Sequence, residues 1–98
     1  MQQKLKISSE IDTLRFAGPL DIYGVETAKT ALLAHLASHS ALELDLSAVS
    51  ACDLAGLQLL IAARKGASAT GKKFSIGASS DAIKECCALS GIAPESIS

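Results

Sequence analysis

The sequence has no tryptophan and only three aromatic residues, Phe16, Tyr23 and Phe74, in 98 positions. Little is available to stack a nucleobase or a flavin ring. It also lacks an excess of either charge: nine Lys and Arg stand against ten Asp and Glu, a net charge of −1. The basic face of a nucleic-acid binder is therefore not expected, nor is attraction to an anionic membrane surface. Long apolar runs are missing. The longest apolar-rich stretch, Leu54 to Ala63, contains Gln58 and is about half of what a bilayer span needs.

Cysteine is sparse and badly spaced for chemistry. Cys86 and Cys87 are adjacent and cannot form an ordinary disulfide, Cys52 is far off, and there is no C-x-x-C. His35 and His39 add no ligand spacing that would complete a zinc site. The thiols are expected to be small buried apolar groups in a reducing compartment. The opening Met1-Gln2-Gln3-Lys4 is not an apolar leader, so a cytoplasmic location is expected. Gly-x-Ser-x-Gly and Gly-x-x-x-x-Gly-Lys are absent, and no His or second acid is spaced to make an acid–base pair with Asp45. No catalytic residue, metal or cofactor is expected.

Apolar residues, at 49%, are plentiful enough for one core at this length. No linker, repeat or low-complexity stretch interrupts them, so residues 1–98 read as a single domain. Gln3 to Ser8 and Ile11 to Ala17 alternate with a strand period and predict a hairpin. Gly18-Pro19-Leu20-Asp21 breaks the pattern. Asp21 is a candidate N-cap for a helix from Ile22 to Ser38, with Ile22, Val25, Leu32, Leu33 and Leu36 on its apolar face. His35 and His39, four apart, are expected to be solvated near its end. Ala41 to Leu46 predicts a strand and Ser47 to Cys52 a loop. Asp53 opens a second helix to about Ala69. Phe74, Ile76 and Ala78 mark a fourth strand. Ser80 or Asp81 caps a third helix to about Leu89, which Gly91 ends, and the tail from Ile92 suggests one more short turn. The order β-β-α-β-α-β-α predicts an α/β chain of the mixed-sheet, α+β kind: four strands with helices mainly on one face. Leu44, Leu46, Leu57, Leu60, Ile61, Phe74 and Ile76 are the candidate core.

The informative stretch is Leu42 to Leu60, a strand and then a helix that begins at an acid followed by small residues. A helix start exposes unpaired N–H groups that suit an anion, but Asp53 itself fills that role as a cap and disfavours a phosphate ligand. Gly56 in the first turn costs about 1 kcal/mol of helix stability relative to Ala. Its presence implies a close neighbour, either the adjoining strand or a partner protein. Ala55, Gln58, Leu59 and Ala62 fall on one row of the second helix, a surface for packing or for docking.

Asp45-Leu46-Ser47-Ala48-Val49, then Asp53-Leu54-Ala55-Gly56-Leu57 and Leu59-Leu60, resembles the STAS domain. That family includes anti-sigma factor antagonists and the cytoplasmic domains of sulfate transporters. Gly18-Pro19-Leu20-Asp21 resembles the family's turn before its first helix, and Gly71-Lys72-Lys73-Phe74 and Ile83 to Gly91 resemble its later strand and helix. The resemblance implies the same element order and a protein-binding surface near the start of the second helix: Asp21, Ser50, Asp53, Leu54, Ala55, Gln58 and Leu59. Antagonists of the sporulation type read Asp-Ser-Ser-Gly, and a serine kinase phosphorylates the second Ser. Here those positions are Leu54 and Ala55. Ala55 is thus the phosphosite equivalent without its hydroxyl, while the hydroxyls of Ser47 and Ser50 are expected to make turn bonds. The implied function is a cytoplasmic, non-catalytic signalling or regulatory domain that binds a protein, an anti-sigma or kinase-type regulator or another signalling assembly, with no nucleic acid and no membrane insertion. The alternative is a STAS subunit of a membrane-associated, lipid-transport ABC complex.

Overall fold

In the computed structural model, which describes residues 4–92, the alternating start of the chain folds back on itself. Strands β1 (Lys6–Ser9) and β2 (Thr13–Leu20) pair antiparallel, with Lys6 opposite Ala17 and Ser9 opposite Leu14. The turn closes through the Glu10 N–H, which donates to the Thr13 carbonyl at 2.8 Å. Then follow helix α1 (Val25–Ser38), strand β3 (Ala41–Cys52), helix α2 (Leu54–Ala69), strand β4 (Lys73–Ser79) and helix α3 (Asp81–Ser90). Strands β2, β3 and β4 are parallel neighbours in a sheet ordered β1-β2-β3-β4. Two successive crossovers that step the same way along a sheet, each right-handed, place their helices on the same face. Helices α1 and α2 accordingly lie side by side and point the same way.

The alternation decides which face they cover. Leu14 and Phe16 on β2 and Leu42, Leu44 and Leu46 on β3 are buried beneath the helices, while Arg15 and Glu43 between them are exposed. Ala28 and Leu32 from α1, Leu57 and Leu60 from α2, and Ile83 and Cys87 from α3 close the core. Of the expected core, Leu44, Leu46, Leu57 and Leu60 are fully buried, and Ile61, Phe74 and Ile76 are half-buried against them. The mixed four-stranded sheet and the element order agree with the sequence reading. Ser80 caps α3 by accepting from the Ile83 N–H at 3.4 Å, and Gly91 ends it at φ 69°, in the left-handed region open to glycine. Of the turn expected in the tail from Ile92, residues 93–98 lie outside the described residues.

Four expectations are corrected. Gly18-Pro19-Leu20 does not break the second strand: β2 runs through it to Leu20, paired with β3. Residues 47–52 are not a loop: β3 continues to Cys52, with Pro19 opposite Ala51 and Leu20 opposite Cys52. The strand was hidden because its register against β2 shifts twice. Each shift inserts a residue and turns the following side chains over, so the burial rhythm passes from Leu46 to Val49. Helix α1 begins at Val25, not Ile22, and its N-cap is Gly24 with no side-chain cap. Asp21 belongs to the turn before it.

The last correction concerns His35, which is not solvated. It is only 5% exposed, its ring stacks on that of His39 at 4.0 Å, and among the described residues its Nε2 makes no hydrogen bond of good geometry. Burial, and then the neighbouring His39, pushes the imidazole below its usual value of 6.5, against smaller pulls from Asp12 and the Ala41 backbone. The unfolded chain therefore takes up this proton first as pH falls. Stability from this group is complete above about pH 6.5 and is lost as pH drops through the lowered folded value. Melting temperatures measured from about pH 7.5 to about pH 5.5 should fall more steeply in the native chain than in His35→Leu. Parallel curves would show that His35 does not set the acid limb.

Cys52, Cys86 and Cys87 are free thiols. Burial, and then the nearby Cys86, pushes Cys52 up to about 12, and burial also raises Cys87. Both stay protonated at neutral pH, which leaves them poor nucleophiles.

Candidate functional site

The carboxyl ends of β2 and β3 meet the first turn of α2, and two aspartates organise the junction. Asp53 is extended (φ −120°, ψ −177°). Its Oδ1 accepts from the Gly56 N–H at 3.0 Å, the N-cap bond expected of it. Its Oδ2 reaches across to accept from the Ile22 N–H at 3.1 Å. One carboxylate thus ties the start of α2 to the loop between β2 and α1. Asp21 shapes that loop from within. Its Oδ1 accepts from the N–H groups of Tyr23 at 3.0 Å and Gly24 at 3.2 Å, a turn that mimics backbone pairing.

Gly56 explains itself at this junction. A Cβ on it would collide with the carbonyl oxygen of Leu20 and crowd the Leu20 side chain and the Cys52 sulfur. The neighbour that the glycine implied is therefore the end of β2. The Asp45-Leu46-Ser47 part of the motif is structural as well. Asp45 Oδ1 accepts from the Ser47 hydroxyl at 2.6 Å and the Ser47 N–H at 2.9 Å, bracing the first register shift of β3 on the exposed face. These two bonds, the hydroxyl first, hold the Asp45 carboxyl below its ordinary value.

The expected site residues fall into two groups. Asp21, Asp53, Leu54 and Ala55 gather at the junction, with Asp21, Asp53 and Ala55 partly covered and Leu54 51% exposed. Ser50 is exposed on the last residues of β3, where the register passes from Val49 to Ala51 and leaves it without a β2 partner. Gln58 and Leu59 lie a turn further along α2. Gln58 is exposed, and Leu59 turns toward α1 and is half-buried. Two residues at the junction escaped the sequence reading. Ile22 is 64% exposed and Tyr23 is 89% exposed, because both sit in the Asp21 turn and not on a helix. The signal for them was Asp21 followed three residues later by Gly24, an Asp-x-x-Gly turn that ends where the helix starts. Among the described residues no three His, Cys, Asp or Glu side chains gather to hold a metal ion, and no helix is long and apolar enough to cross a membrane.

A one-faced mixed sheet with an acid-capped second helix beside the β2–α1 loop is the architecture of a STAS domain. The family described as Mlab, STAS domain matches residues 4–94, and the chain belongs to it. No curated protein matches the sequence significantly. Solved structures share the fold. An anti-sigma factor antagonist from Mycobacterium paratuberculosis superposes with a TM-score of 0.72 at 24% identity, covering 90% of this chain and 77% of that one. A putative anti-sigma factor antagonist from Thermotoga maritima gives 0.69 at 18%, covering 89% and 78%. The anti-sigma factor antagonist SpoIIAA in its unphosphorylated form gives 0.64 at 14%, covering 83% and 78%. In the longer Mglu chain the matching part is 19% of the length.

Proposed function

We propose that this STAS domain is a non-catalytic regulatory module of the cytoplasm, folded as one unit, that binds a protein partner through the junction of α2 with the β2–α1 loop. The observation that carries this reading is the Asp53 carboxylate bridging Gly56 and Ile22. It ties the turn that carries the exposed Ile22 and Tyr23 to the helix start that carries the exposed Leu54, next to Ala55 in sequence. Exposed apolar side chains held together at one place suit a protein contact. The antagonists that share the fold support a regulator as the partner class. Ala55 and Leu54 lack the hydroxyl of the sporulation-type motif, so binding here is not switched by phosphate at that position, and the domain behaves as a permanently unmodified antagonist.

The test compares the tagged native chain with Ala55→Glu in affinity capture from the native extract. The added carboxylate lies in the first helical turn, where the dipole tolerates it, so melting should stay close to that of the native protein. Binding is expected to drop by about tenfold or more, because the new charge is desolvated in the contact without a counter-charge. Ala55→Ser should leave folding and affinity nearly unchanged. A folded Ala55→Glu protein that retains full affinity would remove this junction as the interface. Recovery of a transporter ATPase in place of a signalling regulator would replace the regulatory reading with the transport one.

A further inference from the structure

A second surface lies apart from the junction. Between α1 and α2 runs an apolar groove of about 500 Å³. Leu36 and Leu59 form its floor, and Leu33, 59% exposed, forms a wall. It follows α2 from Leu59 to Thr70, about 16 Å or three helical turns. Its charge differs from that of the molecule as a whole. The chain carries a net −1, yet the groove is lined by Lys29 toward one end and Lys72 at the other, and among the described residues no acid lines it. Lys72 spends one donor on the His39 carbonyl, at 3.1 Å, and an ammonium has two more. Gly66 adds an independent sign. It sits inside α2, where glycine weakens a helix, and a Cβ on it would meet nothing within 4 Å. Among the described residues no contact requires a glycine there, and its missing side chain leaves the groove more open.

We infer that the α1–α2 groove docks an amphipathic helix of a partner protein, about three turns long, with its apolar stripe on Leu33, Leu36 and Leu59 and acidic residues at both ends facing Lys29 and Lys72. Helix-in-groove recognition uses an apolar stripe of this kind for affinity, and charges at the rim set the choice of partner. Two cations about three turns apart match a helix with an acid at each end. A single-headed acyl chain would leave one of them unmatched. This surface is separate from the Asp53 junction and does not depend on it.

The probe is a displayed library of helical 14-residue peptides with a fixed apolar stripe and randomised flanks, selected on the native chain. Enriched peptides should carry Asp or Glu at both ends and should shift the methyl resonances of Leu33, Leu36 and Leu59. Two variants keep the core intact. Gly66→Leu fills the groove into open space and should abolish binding. Lys29→Glu with Lys72→Glu should weaken the acidic peptides by roughly tenfold, the size expected when two rim pairs turn from attraction to repulsion. Selection of neutral or basic flanks, binding that survives Gly66→Leu, or enrichment of no peptide at all would each overturn the inference. So would palmitate binding that shifts the same methyls while the acidic peptides do not.

Discussion

Leu60→Ala is expected to cost about 2–5 kcal/mol in urea unfolding, a large share of the ~5–15 kcal/mol typical of a domain. Leu60 is fully buried on the sheet face of α2, one turn from Leu57. The hole cannot easily collapse. The start of α2 is tied by Asp53 to the β2–α1 loop. At its far end the Lys72 N–H donates to the Ala67 carbonyl at 2.8 Å, and Ala67 is itself buried. A helix held at both ends cannot sink into the space, so cavity energy adds to the lost transfer energy. A loss below about 1 kcal/mol would mean that α2 presents a different face to the sheet.

Gly56→Ala is expected to destabilise by about 1–3 kcal/mol, although alanine is the better helix former by about 1 kcal/mol. The added methyl runs into the Leu20 carbonyl, and that carbonyl has little freedom to retreat. It accepts from the Asp53 N–H at 3.4 Å, and the Leu20 side chain is fully buried. Relief requires α2 to lift from β2, which also lengthens the bond from Ile22 to Asp53. Amide exchange at Ile22 should therefore quicken in the variant. Gly66→Ala on the same helix is the control, since its methyl meets nothing, and it should gain up to about 1 kcal/mol. Equal effects at the two glycines would show that propensity, not the close approach to β2, governs Gly56.

The fold was legible wherever one residue obeyed one period. Leu42, Leu44 and Leu46 alternate, Asp53 caps, Gly91 stops, and the structure places each of them as read. Reading failed where two signals competed at the same residues. Beyond Leu46 the strand persists but its register slips, so side-chain alternation no longer tracks the backbone. Asp21 carried both a cap signal and a turn signal. The turn won, because Gly24 three residues later completes it, and Ile22 and Tyr23 went from an assumed helix face to the surface. His35 was misplaced for a related reason: a polar ring at the end of an amphipathic helix reads as solvated until the stack on His39 covers it. At the candidate site, the residues joined by backbone proximity in sequence, Asp53 to Ala55, were readable. The reach of Asp53 to Ile22, thirty-one positions away, was not.

The strand order has a kinetic side. Only β1 and β2 are joined by a short turn; Thr13 meets Glu43, and Ala41 meets Lys73, each about thirty residues apart. A two-stranded hairpin is marginal alone, so the opening of the chain gains lasting order only when β3 arrives across a long closure. The central strand in turn awaits β4. A chain emerging from the ribosome therefore holds its sheet incomplete until residue 79 is free, and refolding should be slower than that of a helical bundle of similar length.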